Sequence, residues 1–360
     1  MNPEIVSPRA RALTPYTPGE QPQNRKYIKL NTNENPYPPA PAAAELLSRY
    51  SAQSLRLYPD PRFGELRAAL AAWYGLDPEE VFLGNGSDEI LSFAFYSFFD
   101  PAHGPVLFPQ HTYSFYPVYC TFYDLPFRRI PLRDDFSVEL EDYLDVRSHA
   151  GMVIANPNAP TGMSLDRSEL EAFLKRYRQD RICIIDEAYV DFGGESCAEL
   201  IREYSNLLVV HTFSKSRSLA GLRVGFALGN PQLIETLFTV KDSFNSYPLN
   251  RLSQEIAVAA LQDRSYFDDI RRRIMTTRSS VSRRMSAMGW TVLPSRANFI
   301  FASLPGVEGE RIYTRLKENG ILVRHFKHPG IEEYVRITIG TDGEMDRFIE
   351  MLQSLDFVRR

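Results

Sequence analysis

The 360-residue chain has only three cysteines, Cys120, Cys183 and Cys197, and no CxxC pair. So sparse and widely spaced a set excludes a disulfide framework and a thiolate zinc site, and fits a reducing compartment. The six histidines are scattered and none falls in a metal-ligand pattern such as HExxH, so no metal is expected. No stretch approaches the about 18 uninterrupted apolar residues of a membrane helix. Positive charge is not in excess either. Forty-one Lys and Arg against 45 Asp and Glu leave a net charge of −4, which argues against a dominant nucleic-acid surface. Residues 1–22 lack the apolar core of a signal peptide, so the expected location is the cytoplasm.

What the chain does have is an ordinary globular composition, 44% apolar and 24% charged, over a length that suggests roughly two domains. Residues 1–40 are rich in Pro and polar residues and end in LNTNENPYPPAP. This reads as an extended arm rather than a packed element, because clustered proline opposes helix and central strand alike. From residue 41 the pattern turns helical: PAAAELLSRY, then GELRAALAAWYG with Gly75 placed as a cap. Short apolar runs then alternate with helical stretches. VFLGNGSDEILSFAFYSFF reads as strand, Gly-rich turn and helix, and GPVLFPQHTYSFYPVYCTFY as strand, aromatic loop and helix. GMVIANPNAPTG is a strand ending in a Pro/Asn turn, followed by the amphipathic SLDRSELEAFLKRYRQD. RICIIDEAYVDF and NLLVVHTFSK are two more β-branched strands, each ending on a polar group. Such alternation indicates a largely parallel sheet covered on both faces. Past residue 250 the texture changes. LSQEIAVAALQD and YFDDIRRRIMTTRSSVSRRMSAMG are long helices, and TVLPSRANFIFASL, GILVRHF and YVRITIG are strands of a smaller α+β unit. Arg271, Arg272, Arg273, Arg283 and Arg284 read as a solvated helix face.

In open parallel sheets, ligands bind outside the carboxyl ends of the strands, and the chemically unusual residues of this chain fall there. FLGNGSDE sets Gly84, Gly86 and Ser87 between a strand and a helix start. Glycine lets the backbone approach an anion, and the helix supplies free N–H groups. Gly-rich strand–helix turns are common, so this motif alone is weak. CIIDEAYVDF ends an apolar strand on Asp186, with Tyr189 three residues later. A buried carboxylate needs a cationic partner, which is either a nearby arginine or a protonated ring nitrogen. VVHTFSKSRSLAGLR places Lys215 among hydroxyls, with Arg223 beyond it. Lys, Ser and Arg are ordinary loop residues. An amine near one cation and one carboxylate also suits a Schiff-base lysine, and Arg223 offers a planar fork for phosphate. A phosphate cradle, a carboxylate, a phenol and a Schiff-base lysine, taken as an ordered set, are the parts that pyridoxal phosphate needs from a protein.

Over nearly its whole length the chain resembles the fold-type I aminotransferases and, within them, the histidinol-phosphate aminotransferases. The resemblance rests on LTPYTPG, LNTNENPYPP, LYPDP, GNGSDE, NPNAPTG, IIDEAYVDF, TFSKSRSLAGLRVG, RANFIF and VRITIG. It implies an α/β fold in which residues 41–248 form a large domain on a mostly parallel seven-stranded sheet flanked by helices. Residues 249–360 would form a smaller α+β domain, and residues 1–40 an arm packing on the small domain or on the partner subunit. By position, the resemblance implies that Lys215 binds pyridoxal 5′-phosphate as a Schiff base and later moves the proton between Cα and C4′. Asp186 would pair with the pyridinium nitrogen, and Tyr189 would hydrogen-bond the phenolic oxygen of the ring. Gly86, Ser87, Ser214 and Arg223 would hold the cofactor phosphate, with Thr212 nearby and Asp88 in the same cofactor-binding set. Tyr113 would stack on the ring. Tyr58 would reach the cofactor phosphate of the neighbouring subunit, which implies a homodimer with shared sites.

For substrate, the resemblance implies that Arg336 forks the α-carboxylate of amino acids, while Arg324 and Tyr16 line the side that takes a phosphate. The implied reaction converts L-histidinol phosphate and 2-oxoglutarate into imidazole acetol phosphate and L-glutamate by a ping-pong route, a step of histidine biosynthesis. One position departs from the pattern. The family usually has Asn directly before Pro-Thr-Gly, contacting the ring oxygen, and here that residue is Ala159. Asn158, one residue earlier, is expected to do this work through a shifted backbone, and otherwise Tyr189 does it alone. Arg217 is bulkier than the small or aromatic residue the family pattern suggests. Plainer readings stay open: Arg324 and Arg336 as salt-bridged strand residues, and Tyr16, Tyr58 and Tyr113 as packing or loop tyrosines in a chain with 19 of them. So do an aromatic or broad-range transaminase, a pyridoxal-phosphate-dependent decarboxylase of a phosphorylated amino acid, and a non-catalytic binding module, although the last has no need of Lys215.

Overall fold

The structure, a computed structural model, describes residues 5–23 and 25–355. Its strands, in chain order, are β1 Ile28–Lys29, β2 Val81–Asn85, β3 Val106–Pro109, β4 Phe127–Ile130, β5 Gly151–Ala155, β6 Ile182–Asp186, β7 Leu207–Thr212, β8 Val224–Gly229, β9 Thr291–Val292, β10 Phe299–Ser303, β11 Ile321–Leu322, β12 Arg324–His325 and β13 Val335–Thr338. Seven of them make one sheet in the order β2-β8-β7-β6-β5-β3-β4. Neighbours from β7 to β4 are all parallel, while β8 runs antiparallel to both β7 and β2. Every residue of β5, β6 and β7 is buried. That is why these strands read as unbroken apolar runs: helices cover both faces of the sheet. The expected mostly parallel sheet is present. Strands β4 and β8 do not follow from the residue pattern. β8 begins within the motif that links Lys215 to Arg223, and three of the four β4 residues face solvent.

The helices follow their signals. Gly75 caps Gly64–Tyr74, and Asp166 with Glu169 forms a capping box on Arg167–Leu174. Along the helix Arg264–Ala287, Arg272 and Arg273 pair with Asp269, and Arg284 pairs with Asp346, on the solvated face expected of them. No helix among the described residues is long and apolar enough to cross a membrane.

A second core gathers Leu30, Ile274, Trp290, Ile300, Ile337 and Phe348 beside the antiparallel sheet β12-β13-β10-β9. Clustered proline does not leave the arm unpacked. β1 pairs in parallel with β11, Leu30 enters the second core, and Asn31 and Asn33 are buried. Pro8–Ala12 forms a short helix capped by Ser7. The prolines flank the paired segment instead of interrupting it, so no ladder hydrogen bond is lost. Where the two cores meet, Ala159 and Tyr189 from one side pack on Ala297 and Phe299 from the other. The junction opens into a cleft.

Candidate active site

The segments that follow β3, β5, β6 and β7 supply one wall of that cleft, and the carboxyl end of β2 lies at the same edge of the sheet. β2 runs into Gly86, whose φ of 83° lies in the region only glycine adopts freely, and the helix Ser87–Phe98 starts directly after it. A Cβ on Gly86 would lie 2.5 Å from Arg223 Nη2. A Cβ on Gly225, in β8, would lie 2.4 Å from the Ser87 nitrogen. Both positions are therefore closed to larger residues, and the guanidinium of Arg223 sits against a helix N-terminus with free N–H groups. Such a pairing attracts an anion. Asp88 joins this corner to the next residue of interest: it accepts from Arg223 Nη2 at 3.0 Å and from the Tyr113 hydroxyl at 2.6 Å. Thr212 lies opposite Gly225 in the β7–β8 register, and its hydroxyl bonds both the hydroxyl and the N–H of Ser214.

β6 ends on Asp186, which is 4% exposed. The Tyr116 hydroxyl donates to its Oδ2 at 2.9 Å, and the Ala188 N–H to its Oδ1 at 3.2 Å. Burial outweighs both hydrogen bonds and pushes the carboxyl up to about 6. Among the described residues no basic side chain forms an ion pair with it. Tyr116 is itself enclosed by Phe95, Phe108 and Tyr113, so its hydroxyl oxygen is held in place beside the carboxyl. Tyr116→Phe should raise the Asp186 carboxyl further, by roughly one pH unit, which is the weight of one hydrogen bond to a charged group. Difference infrared spectroscopy of the carboxyl band against pH checks this. A titration that does not move would mean that burial alone sets the value.

The opposite wall comes from the second core and the arm. The cleft encloses about 130 Å³ between Lys215, Tyr189 and Tyr113 on one side and Asn33, Arg324 and Arg336 on the other. Lys215 Nζ donates to the Thr32 carbonyl at 3.3 Å and lies 5.7 Å from the centre of the Tyr189 ring. Arg324 and Arg336 are direct partners across the β12–β13 ladder. Like charges in that relation repel, yet among the described residues neither has a carboxylate partner. Arg324 donates to the carbonyls of Thr17 and Pro18, and Arg336 to that of Asn31. Among the described residues Arg336 Nε is buried without a hydrogen-bond partner. The reading of these two arginines as salt-bridged strand residues therefore fails. Two guanidiniums side by side with no ion-paired carboxylate suit an anion. Tyr16 lines the same cleft and packs against Phe115 with tilted rings whose centroids are 4.5 Å apart.

The profile of the family "aminotransferase class I and II" matches residues 25–352. The chain belongs to that family. The histidinol-phosphate aminotransferase of Syntrophus aciditrophicus is 54% identical to it over 353 residues, 98% of either chain. That of Chromohalobacter salexigens is 50% identical over 349 residues, covering 97% of this chain and 98% of its own. The crystal structure of histidinol-phosphate aminotransferase from Sinorhizobium meliloti, in complex with pyridoxal-5′-phosphate, superposes with a TM-score of 0.87 at 25% identity over 98% of both chains.

In this aminotransferase not every expected residue reaches the cleft. Asn158 does not. Its amide hydrogens go to the His111 carbonyl and the Thr161 hydroxyl, and its oxygen accepts from Thr112. The backbone turn that carries it places Ala159 and Pro160 on the cleft wall instead. The expectation that a shifted backbone delivers Asn158 is thus corrected. Tyr58 also stands away from the cleft of its own chain, 77% exposed and stacked on Tyr247. Arg217 finds a use for its bulk: its guanidinium lies 3.6 Å from the centre of the Phe267 ring and 4.5 Å from that of Trp73. Sequence reasoning missed Tyr116, Thr32 and Asn33. The last two sit inside LNTNENPYPP, where a run of polar residues gives no sign of which side chains turn inward.

Proposed function

We propose that this aminotransferase carries the amino group of L-histidinol phosphate to 2-oxoglutarate, releasing imidazole acetol phosphate and L-glutamate, with pyridoxal 5′-phosphate held at Lys215. The facing pair Arg324 and Arg336 carries the reading. Two guanidiniums without a carboxylate, opposite the one lysine among the described residues lining the cleft, suit the phosphate of one substrate and the carboxylates of the other. The residues also fit the cofactor. Gly86 lets the Arg223 guanidinium approach the helix N-terminus where a Cβ would strike it, Asp186 is a buried acid free to take a ring N–H, and among the described residues the Lys215 amine hydrogen-bonds only the Thr32 carbonyl.

When bound, the cofactor supplies an electron-withdrawing ring that stabilises negative charge on the substrate α-carbon. The chain's residues do the rest. The helix N-terminus at Gly86 and Ser87 would bind the cofactor phosphate together with Arg223, beside the hydroxyls of Ser214 and Thr212. Asp88 holds Arg223 and Tyr113 in place, and Tyr113 covers one ring face. Asp186 keeps the ring nitrogen protonated, and Tyr189 donates its hydroxyl hydrogen to the ring oxygen. Lys215 Nζ would take the proton from the substrate α-carbon and return it to C4′ of the cofactor. Arg336 forks the glutamate α-carboxylate, while Arg324 and Tyr16 receive the phosphate. In this reading residues 41–248 carry the cofactor, residues 249–360 bring the arginines, and residues 1–40 are the arm between them.

A homodimer belongs to the same proposal. Leu55, Leu57, Tyr58, Phe244 and Tyr247 are all exposed on the isolated chain, an apolar set that a second copy would cover. Lys241, fully buried, donates to the carbonyls of Pro61 and Ser246 and so fixes both the loop of Tyr58 and that of Tyr247. Tyr58 would then reach the cofactor phosphate of the partner. A cytoplasmic location and a place in histidine biosynthesis complete the proposal.

The test separates the two half-reactions. Single turnovers, followed by the loss of the cofactor's visible band, are measured with glutamate and with histidinol phosphate in turn. Arg336→Lys replaces a fork by a point charge and should weaken both donors by about 1–3 kcal/mol in kcat/KM. Arg324→Lys should hurt histidinol phosphate more than glutamate. If Arg336→Lys spares glutamate, the carboxylate is held elsewhere. If Arg324→Lys leaves histidinol phosphate untouched, an aromatic transaminase becomes the better reading.

A further inference from the structure

Asn33 is 1% exposed, adopts a φ of 56° that side chains other than glycine rarely take, and lies in the arm rather than in either sheet. Its surroundings are fully specified. Its backbone N–H donates to the Thr338 hydroxyl at 3.0 Å, and that hydroxyl donates back to Asn33 Oδ1 at 2.9 Å. Asn298 Nδ2 donates to the Asn33 carbonyl at 3.0 Å. With Oδ1 committed to Thr338, the amide can turn only its Nδ2 toward Tyr189, whose hydroxyl oxygen accepts at 3.0 Å. Reversing the amide would leave the Thr338 hydrogen without its acceptor, and a buried unsatisfied donor is costly.

We infer that Asn33, oriented by Thr338, is a positioning residue that sets the direction of the Tyr189 hydrogen bond. Because the Tyr189 oxygen accepts from Asn33, the phenol hydrogen is left for another acceptor in the cleft that both residues line. The turn that follows β5 supplies no side chain to share the task. Ala159 and Pro160 offer no donor, and Asn158 is engaged on the far side of its turn. A single hydroxyl has to serve where the family pattern usually has a hydroxyl and an amide, and a fixed hydrogen makes one donor count for more. The inference rests on the proposed contact between Tyr189 and the cofactor ring oxygen.

The experiment uses the cofactor-loaded protein and titrates its visible band against pH. A donor to the ring oxygen competes for the proton that oxygen shares with the lysine-bound nitrogen, so losing the donor lets the proton be held more tightly and raises the midpoint. Tyr189→Phe reports the full effect. Asn33→Gly keeps the backbone free to hold a positive φ while removing the amide, and Thr338→Val leaves Asn33 in place but frees it to turn. Both should raise the midpoint by about 0.5–1 pH unit, in the direction of Tyr189→Phe, the weight of one hydrogen bond. The double variant Tyr189→Phe with Asn33→Gly should move it no further than Tyr189→Phe alone. If Asn33→Gly and Thr338→Val lower the melting temperature yet leave the midpoint at its parental value, Asn33 is structural only and the inference is wrong. If Tyr189→Phe leaves the midpoint unmoved, the Tyr189 contact fails and the inference falls with it. If the parent protein shows no visible band, the proposed function itself is overturned.

Discussion

Lys215→Ala is expected to lower turnover by at least about four orders of magnitude while leaving the fold intact. The catalytic loss follows from the cleft: among the described residues lining it, Lys215 is the only lysine. The nearby amine of Lys29 is held by both oxygens of Glu34 at 2.7 and 2.6 Å, and cannot take over without breaking that pair. The fold survives because Lys215 contributes little to it, a single hydrogen bond to Thr32 and a distant contact with the Tyr189 ring. Steady-state assay and a thermal melt measure the two halves of the prediction. Borohydride reduction of the parent protein, followed by peptide mapping, should place the cofactor mass on the peptide carrying residue 215. Turnover in the variant, or cofactor trapped on another lysine, would overturn the assignment.

Asp186→Asn should cut turnover by up to about a thousandfold, because a ring nitrogen that loses its carboxylate loses a charge-assisted contact worth about 2–4 kcal/mol. The same substitution should stabilise the cofactor-free protein, and the sign can be worked out. Burial raises this carboxyl from 3.8 to about 6 in the folded chain. The folded state therefore binds the proton more tightly than the unfolded state does. Stability from this group is greatest below pH 4, falls as pH rises, and is fully lost above pH 6, a cost of about 3 kcal/mol in order of magnitude. Asparagine never ionises, and the Tyr116 hydroxyl can turn to accept from its amide. Melts of the cofactor-free parent and variant should coincide near pH 4 and separate by pH 7.5, with the variant higher. Coincident melts at both values would show that Asp186 is not the burdened acid that its surroundings indicate.

The parts legible in the sequence are those where chemistry interrupts a local pattern. Asp186 and Lys215 stand out because each closes an apolar, β-branched run with a polar group, and that boundary marks the functional edge of a parallel sheet. Gly86 was readable for the same reason, lying between a strand and a helix start. The parts that escaped depend on partners far away in the chain. β8 enters the sheet between β2 and β7 by a reversal that no periodicity announces. Tyr116 matters through Asp186, seventy residues on. Asn33 matters through Thr338 and Tyr189, in two different parts of the fold. Even Arg324 and Arg336, found by resemblance, gained their force only from the ladder that sets them side by side. Asn158 shows the converse. A sequence offset of one residue looked small, but the side chain it would have supplied is tied down behind the cleft wall.

The pairing of β1 with β11 also fixes an order of events during synthesis. Ile321 leaves the ribosome about three hundred residues after its partner Ile28, a wait of roughly 15–60 s at translation rates of about 5–20 residues per second. Through that interval the arm has no sheet to join. A segment of good strand formers held so long in water would seek other edges, its own kind included. NTNENPYPP is poorly suited to such pairing, since its prolines donate no hydrogen bonds and its polar side chains are content in solvent. The composition that makes the arm look structureless is what lets it remain a safe nascent tail until the strand that completes it has been made.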